Sequence, residues 1–520
     1  MLSVWPLAST EKGEGAERVG VAARAVRSSM WLLGRQVVTN LVSVFTTAIL
    51  ARHLTPAQFG IVALAKIIMK FIAVLNRAGV GQYVIVDQGE GRDERANAAF
   101  WLNTALTVAV LGIGIAVKPW AVAIYHEPIV GDLLWVSFFG FVFGQLLIVP
   151  DALIKRTLNY QKLILRDGTI KMMSSILSAV LAVLGFGVWS LMLPALVLEP
   201  LRLVMVFIMA RWRPRLTLGL EHWKKIGKFS GHVLGIEIAS TISNEGDNLI
   251  VGKSLGSSAL GIYNTAWNTT SLVVQNTVGI AGTLVLPSLA AAATDRERLR
   301  NAFRRVIRVL SLLTIPAFAG MFVLAEEFVL ALYGKHWTAV ILPLRILIIF
   351  AARRAIGSPA TAIYSVVGRP DIGMKLSVAF LPFYIPCLIL GAHWHGVIGV
   401  SIAVAIARTL WGFLQFRITF NLIDETSRSM WAQISPIFWS SIVMGALVWA
   451  TKLGVAHFVK LPPVVALFAF SLEGLLLYVL IVRNSFAAVR KEIIQLARDI
   501  SPKLAKIVSR LLVRPSAAAA

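Results

Sequence analysis

Three arginines stand in a stretch that otherwise reads as lipid-embedded helix: ILPLRILIIFAARRAIGSPATAIY, residues 341–364, holds Arg345, Arg353 and Arg354. An arginine near the middle of a bilayer costs at least about 2.5 kcal/mol, so such residues nearly always face protein, a watery cavity or a ligand. The guanidinium fork is suited to bidentate contact with phosphate. Arg345 and Arg353 fall within about 80° of each other around a helix and roughly 12 Å apart along it, with Arg354 turned about 100° further. Other apolar stretches carry Arg35, Lys66, Lys70 and Arg408. Lys66 and Lys70, four residues apart, project from one helix face. These seven bases are expected to line an interior, cationic space that concentrates anionic ligands.

The acids gather in FSGHVLGIEIASTISNEGDNLIVGK (229–253), which holds Glu237, Glu245 and Asp247. Two readings stand for them. A carboxylate in a partly dry cavity can couple transport to H+ or Na+; equally, the three can be counter-ions for the arginines. Glu199 and Arg202, three apart beside Pro200, read as a self-neutralising helical pair, and Lys171 as a side chain that snorkels to the membrane edge. The chain has no phosphate-binding loop of the GxxxxGK type. Its eight histidines show no metal-ligand spacing, and His393 and His395 read as solvated residues of an outer loop. No metal, cofactor or catalytic constellation is expected, so the chain is read as not being an enzyme.

The elements that must hold these charges are membrane helices. Of 520 residues, 57% are hydrophobic and only 15% charged, and apolar runs of transmembrane length recur throughout. Spans are expected at roughly 29–51, 58–76, 97–117, 132–150, 168–185, 188–210, 229–252, 258–288, 309–325, 339–364, 376–391, 395–416, 433–451 and 463–482. The formal net charge of +24 is distributed by side: with the N-terminus inside, inner segments hold 35 of the 50 Lys and Arg and outer loops six. That is the positive-inside pattern. It implies orientation, cytoplasmic termini and anionic lipid, not nucleic acid. The first 28 residues lack the apolar core of a signal peptide and read as a cytoplasmic tail. The single cysteine, Cys387, excludes a disulfide framework and reads as a small buried hydrophobe.

An internal repeat orders the spans. ILARHLTPAQFGIVALA (49–65) aligns at an offset of 201 with IVGKSLGSSALGIYNTA (250–266), with identities at Ile49/Ile250, Leu54/Leu255, Gly60/Gly261, Ile61/Ile262 and Ala65/Ala266. Both copies fall after the first span of a six-helix block, and an even number of spans gives the blocks the same orientation. Such parallel repeats build carriers that hold substrate between two halves. The expected fold is an all-α polytopic membrane protein of about 14 transmembrane helices, two six-helix lobes in parallel repeat around a central cavity plus two C-terminal helices. The expected division is a tail (1–28), an N-terminal lobe (29–210), a basic linker (211–228), a C-terminal lobe (229–416), two additional helices (417–482) and a basic amphipathic tail (483–520). That last tail suits the inner leaflet or a partner protein.

Several stretches resemble one family. WLLGRQVVTNLVSVFTTAILARHLTPAQFGIVALA (31–65), IVPDALIKRTLNYQKLILRDG (148–168), LIVGKSLGSSALGIYNTAW (249–267) and LYGKHWTAVILPLRIL (332–347) followed by SVVGRP (365–370) are similar, in this order, to the bacterial polysaccharide transporter family of Wzx-type lipid-linked oligosaccharide flippases. The resemblance runs through roughly residues 28–420. It implies an inner-membrane carrier of an oligosaccharide on undecaprenyl diphosphate, moved to the periplasmic leaflet by alternating access. It also implies coupling to H+ or Na+ and contact with polysaccharide-assembly proteins as open questions. A peptidoglycan-precursor flippase and a multidrug-type antiporter share the broad fold; a membrane polymerase or ligase would need an outer domain for which no loop here is long enough.

Overall fold

In the computed structural model, residues 38–76, 80–86, 92–156, 160–215, 220–293 and 295–485 are described, with positions 490, 494 and 509. Arg35 and nearly all of the C-terminal tail lie outside them. The described chain is helical: α1 (38–53), α2 (Pro56–Val74), α3 (Val80–Val86), α4 (Arg92–Tyr125), α5 (Pro128–Leu146), α6 (Ile148–Arg156), α7 (Tyr160–Val183), α8 (Leu193–Ala210), α9 (Leu220–Ala291), α10 (Arg296–Val323), α11 (Ala325–Leu332), α12 (Ile341–Val366), α13 (Pro370–Leu422), α14 (Ser427–Phe458) and α15 (Pro463–Ser485). Two of these are pairs joined end to end. Gly256, at φ 84°, breaks α9, and His395 with Gly396 breaks α13. With each pair counted as two, fourteen helical segments among the described residues match the predicted spans. Among the described residues, eight helical stretches are long and apolar enough to cross a membrane on length and composition alone. The outer loop expected around His393 and His395 shrinks to the α13 break, where His393 Nδ1 lies 2.8 Å from the carbonyl of Ile389. Cys387 is half-buried beside the core.

The turn from α1 to α2 is written locally. Thr55 caps α2 with its side chain on the Gln58 N–H, Gln58 returns a bond to the Thr55 N–H, and Pro56 occupies the first turn. This is the capping box with a proline where no donor is needed. Thr55 and Gly256 are 201 residues apart, so the helix break recurs at the same place in both copies of the repeat.

The copies then meet each other. A Cβ built on Gly60 would lie 1.7 Å from the carbonyl oxygen of Ser257, and one built on Gly261 would lie 1.8 Å from that of Pro56. Gly60 pairs with Gly261, and Pro56 with Ser257, at the repeat offset, so the contact is reciprocal: α2 and the second half of α9 cross backbone on backbone about a local two-fold axis. Ala65 and Ala266, also equivalent, are both fully buried.

Further bonds seal the lobes at this end. The fully buried Trp337 donates from its indole N–H to the carbonyl of Ala51 at 2.8 Å and meets Phe59 edge-on at 4.9 Å. Arg52 donates to the Ala331 carbonyl at 3.0 Å, and Ser257 Oγ to Glu127 Oε1 at 2.7 Å. α14 and α15 pack outside the C-terminal lobe. Lys452 reaches Glu327 at 2.7 Å, and Arg304 is bonded to Glu425, whose carboxylate is fully buried.

Candidate substrate cavity

Away from the sealed end, α2 presents Lys66 and Lys70 on the inner side of the N-terminal lobe, ten and fourteen residues beyond Pro56. At 1.5 Å per residue that is about 15 and 21 Å along the helix. Lys70, half-exposed, binds Glu245 across the lobe boundary at 2.5 Å. Glu245 also accepts from Asn248 Nδ2 at 3.2 Å. The polar line continues through Asn264 to Asn248 at 3.2 Å and Asn268 to Asn264 at 2.6 Å.

A second cluster lies inside the C-terminal lobe. Asp247 is fully buried and accepts from Tyr263 at 2.7 Å, from the Asn248 backbone at 2.9 Å and from Tyr384 at 3.4 Å. Arg408 Nε donates to that same Tyr384 hydroxyl at 2.9 Å, and its Nη2 to the Ser243 carbonyl at 2.7 Å. Its guanidinium lies 3.8 Å from Asp247 and over the rings of Tyr384 at 4.7 Å and Trp267 at 5.4 Å. A cation over desolvated aromatic faces gains about 2 kcal/mol on top of its ion pair. Arg354 also lies over Trp267, at 5.1 Å, and donates to Ser271 Oγ at 3.2 Å.

Arg353 takes another course. It enters the seam between α12 and α13, donates to the Arg408 carbonyl at 3.0 Å and lies 5.9 Å from Phe416. Its Nη1 fills the space where residue 412 would carry a Cβ, which Gly412 leaves open. Arg345 has a buried Nε with no hydrogen-bond partner among the described residues. Thus the seven expected bases are not gathered in one place: Lys70 reaches across the lobe boundary, Lys66 borders a cavity of the N-terminal lobe, Arg354 and Arg408 form the aromatic cluster, Arg353 sits in the α12–α13 seam, Arg345 stands apart on α12, and Arg35 lies outside the described residues. Two acids act as counter-ions, Glu245 to Lys70 and Asp247 to Arg408. Among the described residues no carboxylate lies within ion-pair distance of Lys66, Arg345, Arg353 or Arg354, so the interior keeps a basic excess.

Glu237 belongs elsewhere. It lines a cavity of about 390 Å³ with Asn76, Gln82, Asp151, Lys155 and Arg202. Arg202 also borders a larger cavity of about 620 Å³ whose walls are Ser43, Thr46 and Thr47 of α1, Lys66 of α2, Asp167, Lys171, Ser174, Ser175 and Ser178 of α7, and Glu199. The sequence reading missed this space. Glu199 and Arg202 do pair, at 3.6 Å, yet Arg202 also reaches Asp167 at 3.3 Å. Lys171, read from the sequence as an edge residue, lines this cavity. Behind them Arg166, 2% exposed, holds Asp151 at 2.5 Å and Asp167 at 2.8 Å. The available signal was the Ser/Thr spacing, i, i+3 and i+4 on α1 (Ser43, Thr46, Thr47) and i, i+1 and i+4 on α7 (Ser174, Ser175, Ser178), which puts hydroxyls on one broad face of each helix.

A two-lobed membrane fold, sealed at one end and polar and basic between the lobes, defines a carrier class. The family described as "Polysaccharide biosynthesis protein" matches residues 49–342, more than half of the sequence, and the chain belongs to that family. It is 30% identical over 303 residues to the succinoglycan biosynthesis transport protein ExoT of Rhizobium meliloti (strain 1021), an alignment that spans 56% of this chain and 59% of that protein. With the lipopolysaccharide biosynthesis protein WzxC of Escherichia coli (strain K12) it shares 22% identity, covering 86% of this chain and 88% of the relative. Among solved structures, the lipid II flippase MurJ in an inward closed conformation superposes with a TM-score of 0.71 over 91% of this chain and 99% of that one. At 14% identity that likeness speaks for the fold alone.

Proposed function

We propose that this protein is a flippase that carries undecaprenyl-diphosphate-linked oligosaccharide units from the cytoplasmic to the periplasmic leaflet of the bacterial inner membrane, by alternating access and without catalysis. The observation that carries the reading is the basic interior, with Lys70 bound at the lobe boundary to a polar line of Glu245, Asn248, Asn264 and Asn268 and Lys66 four residues before it on α2 without a carboxylate partner among the described residues. A diphosphate crossing a membrane must give up water, and ammonium groups in a wet cavity replace that lost hydration. The isoprenoid tail stays in lipid. Lobes comprising residues 29–210 and 229–416 rock about the α2–α9 crossing. With both termini cytoplasmic, the sealed end is periplasmic and the Lys66–Lys70 face opens inward. Arg345, Arg353, Arg354 and Arg408 supply further positive field from the C-terminal lobe. Glu245, released from Lys70 when the lobes part, is the carboxylate available to a coupling H+ or Na+.

The test is the sidedness of lipid-linked oligosaccharide in cells depleted of the protein. Complete repeat units held on the inner face are the expected result. Normal export, or unpolymerised units outside, refutes the flippase reading and moves the drug-antiporter or polymerase readings forward.

A further inference from the structure

Resting on the flippase reading, we infer that the 620 Å³ cavity of the N-terminal lobe is a binding site for an acidic sugar of the transported glycan. Its volume is within the range of small-molecule sites. Six hydroxyls line it, three from α1 and three from α7, and the two helices are tied there by Thr46 Oγ1 donating to the Ser175 carbonyl at 3.2 Å. Thr47 donates back to Ser43 of its own helix at 2.8 Å. Ser178 is 92% buried, counted from its 8% exposure, yet borders the cavity. Hydroxyls at this depth in a membrane protein are satisfied by protein, water or ligand, because hydrocarbon offers no partner.

The charges divide into two kinds. Arg202 is held by Asp167 and Glu199, and those carboxylates retain lone pairs that accept from sugar hydroxyls. Lys66 and Lys171 have no carboxylate within ion-pair distance among the described residues, and both are exposed on the cavity wall. The shared chemistry is an anion flanked by hydroxyls. A sugar acid supplies both on one ring, whereas a diphosphate supplies only the anion. The remaining lining, Leu50, Ile170 and Leu191, is aliphatic, so recognition rests on polar contacts and charge.

The experiment uses the purified full-length protein in lipid nanodiscs and three probes: a glucuronate-containing disaccharide, its neutral glucose counterpart, and farnesyl diphosphate. The acidic disaccharide should bind wild type measurably more tightly than the neutral one. Lys171→Ala should weaken it about tenfold or more, as expected for loss of a charged hydrogen bond, and Lys171→Arg should restore most of it. Farnesyl diphosphate should be indifferent to Lys171→Ala. Melting and gel filtration of the variants report folding, and Ser174→Ala with Ser178→Ala gives an independent, uncharged perturbation of the same wall. Binding of farnesyl diphosphate without preference for the acidic disaccharide overturns this inference and leaves the flippase reading intact. So does a loss of farnesyl diphosphate affinity in Lys171→Ala, which would assign the cavity to the diphosphate. Failure of both anionic probes to bind overturns this inference together with the reading beneath it.

Discussion

The reciprocal crossing of α2 and α9 makes a sharp steric prediction. In Gly261→Ala the new methyl group would lie 1.8 Å from the Pro56 carbonyl oxygen, where a Cβ needs at least 3.0 Å. The helices must therefore separate locally by at least 1.2 Å, and the obstacle is backbone, which cannot rotate aside as a side chain can. Gly60→Ala meets Ser257 in the same way at 1.7 Å. In an unobstructed helix the change from Gly to Ala gains about 0.5–1 kcal/mol, whereas overpacking costs typically about 1–3 kcal/mol. With backbone on backbone the upper part of that range applies, so each variant should lose about 1–2 kcal/mol net and melt a few degrees lower in detergent. Gly320→Ala in α10, which meets nothing within 4 Å, should melt no lower than wild type. The double variant supplies the decisive test: once one methyl has parted the helices, the second costs less, so the losses should be sub-additive. Melting at or above wild type for both single variants would show that the helices do not cross at these glycines in the resting protein.

Other outcomes follow from the ion pairs. Lys70→Glu should abolish oligosaccharide export, and Glu245→Lys in the same chain should restore part of it by re-forming the pair in reverse; no recovery would remove this pair from the transport cycle. Tyr384→Phe removes the hydroxyl shared by Arg408 and Asp247 and should cost about 1–3 kcal/mol of stability, read by thermal melting. In the turn between α13 and α14, burial raises the Glu425 pKa, but bonds from Arg304, the Thr426 N–H and Ser429 pull it below the ordinary value of 4.5. The stability from this group is therefore complete above the unfolded pKa and lost as pH falls through the lower folded one. Melting temperature should fall on acidification from pH 5 to pH 3, and Glu425→Gln should lower it at pH 7 while flattening that acid response.

What the sequence revealed and what it hid divide along local and tertiary lines. The spans were legible because apolar runs of membrane length have few other uses. The α1–α2 turn was legible too, in Thr55-Pro56 with Gln58 three positions after the cap. Gly60 and Gly261 identified the repeat, although not that its copies touch. The pairing of charges was hidden because helical periodicity gives a residue's face and not its partner. Asp247 meets Arg408 from 161 positions away, and Arg353 takes the seam opposite Gly412. Asp151 and Arg166 read as inner-loop charges, yet the folding of α6 against the lobe buries the arginine. Nearness to a span end, from which Lys171 was read, says nothing about whether a cavity reaches it.

A two-fold crossing inside one chain has the geometry of a symmetric dimer interface, in which each half offers the other the same contact. In a true homodimer every substitution appears twice, and the interior is forced to be symmetric. Here the halves are covalently joined, so each can change alone while the crossing keeps them docked. The positions 201 beyond Lys66 and Lys70 are Trp267 and Ser271. Where one half offers ammonium groups, the other offers an indole and a hydroxyl, and the aromatic face has recruited Arg354 and Arg408 to itself. Fusion has thus let a symmetric crossing join two halves whose facing residues differ in chemistry.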